Sequence, residues 1–423
     1  MVAKSYTLWH LREEDKERDR VSNRSQLGWV DFSNEDRDRV KHALSQLAQP
    51  GTLDELGIGG LRDAFADLMF PGFSTLQTRA KYFISVPRII RDYLQLSCAR
   101  QRKQPFGHYL EEQEAQLSEL LRERHRDSGQ TGISGFSLQK GERVSRQPSS
   151  IYWVGLRTWK LIYTQGSLRQ FAQAIGSADE PWEAQPDEAG DDSDAYSPSR
   201  LVHLDRYEPD WLASVSIELT ESEARFLSEK FKAGPEYNLA TELERSGLRE
   251  QALVKGRDGF PALAAWVGGQ AQLPRQTRDN VAMAQAFSEL IYGAHLRLNI
   301  LLVRNGAEYR PLLNSYSDEW DAWRSQAHAQ PQEIGQWLAH TQVVLPDHTR
   351  AFLDNWARGI AGNAREAELD RLIEAQARAN KNQRSILNRR LPEDFKWHGM
   401  ARLDYRWAQV RNVLRDIQEG LAC

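Results

Sequence analysis

The sequence predicts a mainly α fold: two helical halves joined by an acidic linker, with a few short strands. Three observations carry that prediction. Leu403, Trp407, Val410, Leu414, Ile417 and Leu421 recur at spacings of three and four, which draws one apolar stripe down a helix. Helix-start signals, a Thr followed three places on by Glu, occur at Thr52/Glu55 and Thr220/Glu223. Between Ser177 and Tyr196 stand eight acids and no base, a composition that reads as a flexible connector.

The elements follow in order. Residues 11–24 alternate in charge, as in a solvated helix or loose arm. Trp29, Val30 and Phe32 mark a short strand at Leu27–Phe32, and Ser33 caps a helix that ends near Pro50-Gly51. The Thr52 box precedes a helix over Gly60–Met69, stopped by Pro71-Gly72. Ser74 or Thr75 opens a longer helix to Leu94, with a kink at Pro87. A charged helix spans Tyr109–Asp127, and the Gly-, Ser- and Gln-rich stretch Ser128–Ser150 is a loop. Ile151–Tyr163 and Ser167–Ile175 are helical, and the acidic linker runs over 177–199. Beyond it the Thr220 box leads into helices at Ala262–Trp266, Asn280–Val303, Asp318–Gln326, Glu333–Thr341, Asp347–Ile360 and Ala364–Ala379, then the C-terminal helix. The domains are therefore 1–176, the linker 177–199, and 200–423.

Composition narrows the function. The chain has 423 residues, 27 % charged and 40 % hydrophobic, ordinary for a globular protein. No apolar run nears the roughly 18 residues that cross a bilayer, so no membrane partner is expected. Met1–His10 lacks the apolar core of a secretory signal, and two cysteines, Cys98 and Cys423, support neither a disulfide framework nor a cysteine-based zinc site. The expected location is the cytoplasm. Thirteen tryptophans read mainly as core. The formal net charge is −4, and removing the eight linker acids turns it into +4, so the folded parts are mildly basic.

Two regions carry candidate nucleic-acid contacts. Gly60–Leu94, with Phe70-Pro71-Gly72-Phe73 between its helices, resembles a helix-turn-helix. Gln77, Lys81 and Arg88 share the polar face of its second helix, suited to phosphates and a base edge. From Asp370 to Asp416 eleven bases meet six acids, with Trp397, Tyr405 and Trp407 interleaved. There Arg389 and Arg390 are nucleic-acid candidates. Arg402, Arg406, Trp407, Arg411 and Arg415, along the apolar stripe, form a candidate partner-binding face. Each has a plainer reading, a solvated helix face or intramolecular ion pairs.

Catalytic signals are weak. Pro392-Glu393-Asp394-Phe395-Lys396 has the acid-x-Lys spacing of metal-dependent nucleases but no surrounding β-rich segment. Gly129, Gly132, Gly135 and Gly141 lack the Gly-Lys-Ser/Thr ending of a phosphate loop. The ten histidines show no metalloprotease spacing. No catalytic residue, metal or cofactor is assigned.

Leu27-Gly-Trp-Val-Asp-Phe-Ser33, Asp54-Glu-Leu-Gly-Ile-Gly-Gly-Leu-Arg-Asp-Ala-Phe-Ala-Asp67, Gln147-Pro-Ser-Ser-Ile-Tyr-Trp153 and Arg402-Leu-Asp-Tyr-Arg-Trp407 resemble a family of uncharacterised bacterial proteins of unknown function. The resemblance covers most of the chain and supplies no catalytic residues. It implies an accessory component of phage-defence islands, beside helicases and nucleases. The expected function is a non-catalytic subunit that engages DNA, or a helicase or nuclease partner, in antiviral defence. The alternatives are a protein–protein scaffold without DNA affinity and a metal-dependent nuclease using Asp394 and Lys396.

Overall fold

The computed structural model describes residues 54–136, 144–176, 201–327 and 333–422. Helix α1 (Gly59–Met69) begins where Asp54 accepts hydrogen bonds from the Ile58 and Gly59 amides at 2.8 and 2.7 Å. It is followed by α2 (Tyr82–Leu94), α3 (Cys98–Lys103), α4 (Phe106–Arg124), α5 (Pro148–Thr158) and α6 (Leu168–Gly176). Next come α7 (Glu221–Lys232), α8 (Leu239–Arg245), α9 (Arg249–Lys255) and α10 (Phe260–Gly268). The chain continues through α11 (Arg275–Val303), α12 (Arg310–Ala327), α13 (Ile334–Thr341), α14 (Asp347–Ala361), α15 (Glu366–Lys381) and α16 (Trp407–Leu421).

The core is organised around α11. Residues 290–301 of this helix are all buried, and α1, α10, α12 and α15 pack around it. A stretch buried on every side must have its polar groups paired, as Arg297 is with Asp370 and Asn299 with the His398 backbone. The helix packs tightly on α12: a Cβ on Gly293 would stand 2.2 Å from the Trp323 ring, so glycine is what lets that indole lie on the helix backbone. The stripe on α16 is real and buried, through Trp407, Val410, Leu414 and Ile417, against α7 and α9. Residues Gln49–Cys423 form one unit. Within it, aromatic pairs such as Phe65–Phe287 and Phe83–Phe231 join stretches before and after 177–200.

Two expectations are corrected. The sequence predicts a few short strands, but the described residues contain no strand or sheet. One isolated antiparallel bridge pairs Ile162 with Val202. Just beyond it the Arg157 guanidinium binds the carbonyls of Thr164 and Gln165 at 3.1 and 2.9 Å. The strand expected at Leu27–Phe32 lies outside the described residues, as do the charged arm, the Ser33 helix, Thr52, Gly141 and the acidic segment.

The second correction concerns the helix-turn-helix. α2 starts at Tyr82, not at Ser74, and residues 70–81 are a long connection where such a motif needs three or four residues. The helix is pre-empted by remote partners. The Thr78 and Arg79 amides donate to the Tyr152 hydroxyl at 2.9 and 3.1 Å, and the Ala80 amide donates to Asp416 at 2.8 Å. Backbone donors satisfied this way have nothing to gain from a helical turn.

Candidate nucleic-acid interface

The polar face predicted for a helix over Ser74–Leu94 is turned inward. Gln77 is buried, and its amide donates to the Gly72 and Ile151 carbonyls at 3.0 and 3.4 Å. Lys81 is 3 % exposed and binds Glu223 at 2.7 Å. Arg88 binds the same carboxylate at 2.6 Å and Asp205 at 3.0 Å, and its guanidinium lies over the Trp211 ring. Glu223 also closes the anticipated capping box, accepting from the Thr220 amide at 2.9 Å. Burial pushes the Glu223 carboxyl up, but Lys81, Thr220 and Arg88 outweigh it and hold the group below the usual range. These cations are neutralised within the chain and are unavailable to phosphates.

The proposed partner face is largely internal as well. Trp407 is fully buried, donating to the Gly256 carbonyl at 2.8 Å and stacking on Phe70. Consecutive left-handed residues, Tyr405 at φ 49° and Arg406 at φ 68°, turn the chain into α16. That turn sends Arg406 to Asp67 at 2.5 Å and to the Phe73 carbonyl at 2.8 Å. Arg402 pairs with Glu289 at 3.0 Å over the Tyr292 ring. Arg411 donates to the Arg257 carbonyl. Arg415 is exposed and reaches Asn412 and Glu419 on its own helix.

Arg389 and Arg390 differ from all of these. They lie on the irregular segment between α15 and α16, beside Lys381, Arg384 and Lys396. Arg384, Arg389, Arg390 and Lys396 are exposed, and none of the five forms an ion pair among the described residues. Two exposed acids, Glu393 and Asp394, share the segment, which remains net positive.

This cationic strap is pinned along its length. Gln376 and Asn380 donate to the carbonyls of Leu56 and Asp54 at 2.7 Å each. Ser385 Oγ and the Ile386 amide donate to the buried Glu55 carboxylate at 2.6 and 3.0 Å. Burial alone raises Glu55, yet the His398 imidazole 3.5 Å away and the hydrogen bonds from Ser385 and Ile386 prevail and hold it below the ordinary value. Further on, Tyr309 donates to the Pro392 carbonyl at 3.2 Å, Phe395 turns inward, and Asn299 exchanges 2.7 and 2.8 Å bonds with the His398 backbone. Glu55 and Asn299 are the anchors that sequence reasoning missed. The box signal at Thr52/Glu55 named Glu55 for a different task.

The interleaved aromatics do not face out with these cations. Tyr405 and Trp407 are buried, and Trp397 stacks on Tyr292. Asp394 and Lys396, the nuclease candidates, sit on this strap away from any sheet. Among the described residues no group of three His, Cys, Asp or Glu side chains converges as a metal site.

Fold and surface together define a helical class among the described residues, with a cationic strap hydrogen-bonded to the body at Ser385, Ile386, Pro392 and His398. The chain belongs to a family of unknown function, DUF6361, whose model matches residues 24–419. No curated protein and no solved structure matches it. No helix of the described residues is long and apolar enough to cross a membrane.

Proposed function

We propose that this chain is a non-catalytic subunit that engages DNA through the strap over Lys381–Lys396, with Arg389 and Arg390 as its principal phosphate contacts. The observation that carries the reading is the contrast in partners. Lys81, Arg88 and Arg406 are bound to carboxylates, whereas Arg384, Arg389, Arg390 and Lys396 stand exposed on a pinned segment with no ion pair among the described residues. Cations free of internal partners lose little on meeting a phosphate, and a fixed backbone lowers the ordering cost. With Trp397, Tyr405 and Trp407 turned inward, the contacts are to the sugar-phosphate backbone and not to stacked bases. Membership of an antiviral system with a helicase or nuclease partner rests on the motif resemblance alone.

The test is a fluorescence-anisotropy titration of duplex DNA at several salt concentrations. Arg389→Glu with Arg390→Glu should weaken binding by about tenfold or more and reduce the log–log salt slope by about two, one per lost contact. Melting should not change, because both side chains are exposed. Unchanged affinity and slope would overturn the proposal in favour of a protein scaffold.

A further inference from the structure

A second cation cluster, built on different elements, lies where the end of α5, the Ile162/Val202 bridge and α7 meet. Lys230 Nζ donates to the Lys160 carbonyl at 3.1 Å and lies 3.0 Å from His203 Nδ1. Its ammonium also lies 5.4 Å from the centre of the Phe226 ring. An ammonium has three donors and no acceptor. His203 Nδ1 must therefore accept, which places the imidazole proton on Nε2 and leaves one Lys230 N–H without a hydrogen-bond partner among the described residues. Lys160 is exposed and held at φ 53°. Tyr163, 43 % exposed, packs its ring 4.6 Å from that of His203. The bridge fixes this pairing, with the Tyr163 amide donating to the Leu201 carbonyl at 2.8 Å and the His203 amide to the Leu161 carbonyl at 2.9 Å.

Among the described residues no carboxylate completes this cluster. Lys81, Arg88, Arg249 and Arg297 each bind a carboxylate. Lys230, half-buried, has none among the described residues, and the neighbouring Glu229 is taken by Lys232 at 2.7 Å. Burial and then the Lys160 charge hold the Lys230 ammonium below its ordinary pKa, while burial and then Lys230 do the same for His203. A bound anion would favour the charged ammonium and offset the cost of burying it.

We propose that Lys230, Lys160 and His203 form a phosphate-binding subsite, with Tyr163 as the flat face for an attached base, so that the ligand is a nucleotide, either free or at the phosphorylated end of a single strand.

Calorimetric titration of the full chain with AMP, adenosine and a 5′-phosphorylated trinucleotide tests it. AMP should bind saturably and at least about tenfold more tightly than adenosine. Lys230→Met, which keeps the aliphatic stem on Phe226, should lose about tenfold for AMP with unchanged melting. Lys160→Ala, at an exposed position, should weaken AMP in the same direction and serves if Lys230→Met does not fold. Tighter binding of the trinucleotide assigns the strand end, and equal binding assigns the free nucleotide. Arg389→Glu with Arg390→Glu should leave AMP affinity intact, which separates this site from the strap. The proposal is overturned if AMP binds no better than adenosine, if Lys160→Ala and a folded Lys230→Met bind it like the wild type, or if the strap variant abolishes it.

Discussion

Glu114 on α4 is fully buried, and its carboxylate receives the Ser149 amide and the Ser149 hydroxyl near the start of α5. Burial pushes its pKa up to about 7 despite those donors. The native state thus keeps this proton to a higher pH than the unfolded chain, whose ordinary value is 4.5. Stability from this group is present below 4.5 and is lost as pH rises towards 7. Glu114→Gln does not titrate. Its unfolding free energy should gain on that of the wild type by roughly 2–3 kcal/mol between pH 5 and pH 8, because every tenfold difference in proton affinity between folded and unfolded chains is worth about 1.4 kcal/mol. Urea titrations at the two pH values measure this, and parallel curves would refute it. The residues hardest to assign from sequence were those with remote partners. Lys81 and Arg88 have the spacing of an exposed face, and nothing near them reveals that Glu223 and Asp205 complete the pairs from more than a hundred positions away. Arg389 and Arg390 are exposed, as their place in a charged irregular segment suggests, and form no ion pair among the described residues.

At the scale of elements, local signals transferred and tertiary ones did not. The Thr220/Glu223 box forms as its spacing requires, with the Glu223 amide donating to Thr220 Oγ1 at 3.3 Å. The α16 stripe is buried as its period requires. The start of α2 is displaced from its predicted position because Tyr152 and Asp416, far along the chain, claim the backbone donors of residues 78–80. Close packing of α11 against α12 is equally silent in the sequence, since a glycine inside a helix ordinarily reads as a mild cost. Here it is an adaptation to Trp323, whose indole donates to the Glu289 carbonyl at 3.1 Å. Gly293→Ala gains helix propensity yet places its methyl 2.2 Å from the ring. Overpacking should win, with a net loss of about 1–3 kcal/mol and a lower urea midpoint. An unchanged or raised midpoint would show that α12 can slide aside.

For the whole molecule the governing quantity is the separation of charge along the chain. The eight acids between Asp179 and Asp194 account for the negative net charge, and without them the formal value rises from −4 to +4. A polyanion approaching the strap responds to the summed field as well as to the nearest guanidinium, within a screening length of about 10 Å at 0.1 M salt. Deleting residues 179–194 should therefore increase DNA affinity at low salt, and the gain should shrink as salt rises. Combining the deletion with Arg389→Glu and Arg390→Glu separates two causes. If the acids act through the general field, the deletion still raises the residual affinity of the strap variant; if they compete for the strap itself, the gain disappears with those arginines. Anisotropy titrations of the four proteins at two salt concentrations decide between these outcomes. No gain from the deletion at low salt would show that the acidic segment lies outside the field that DNA experiences.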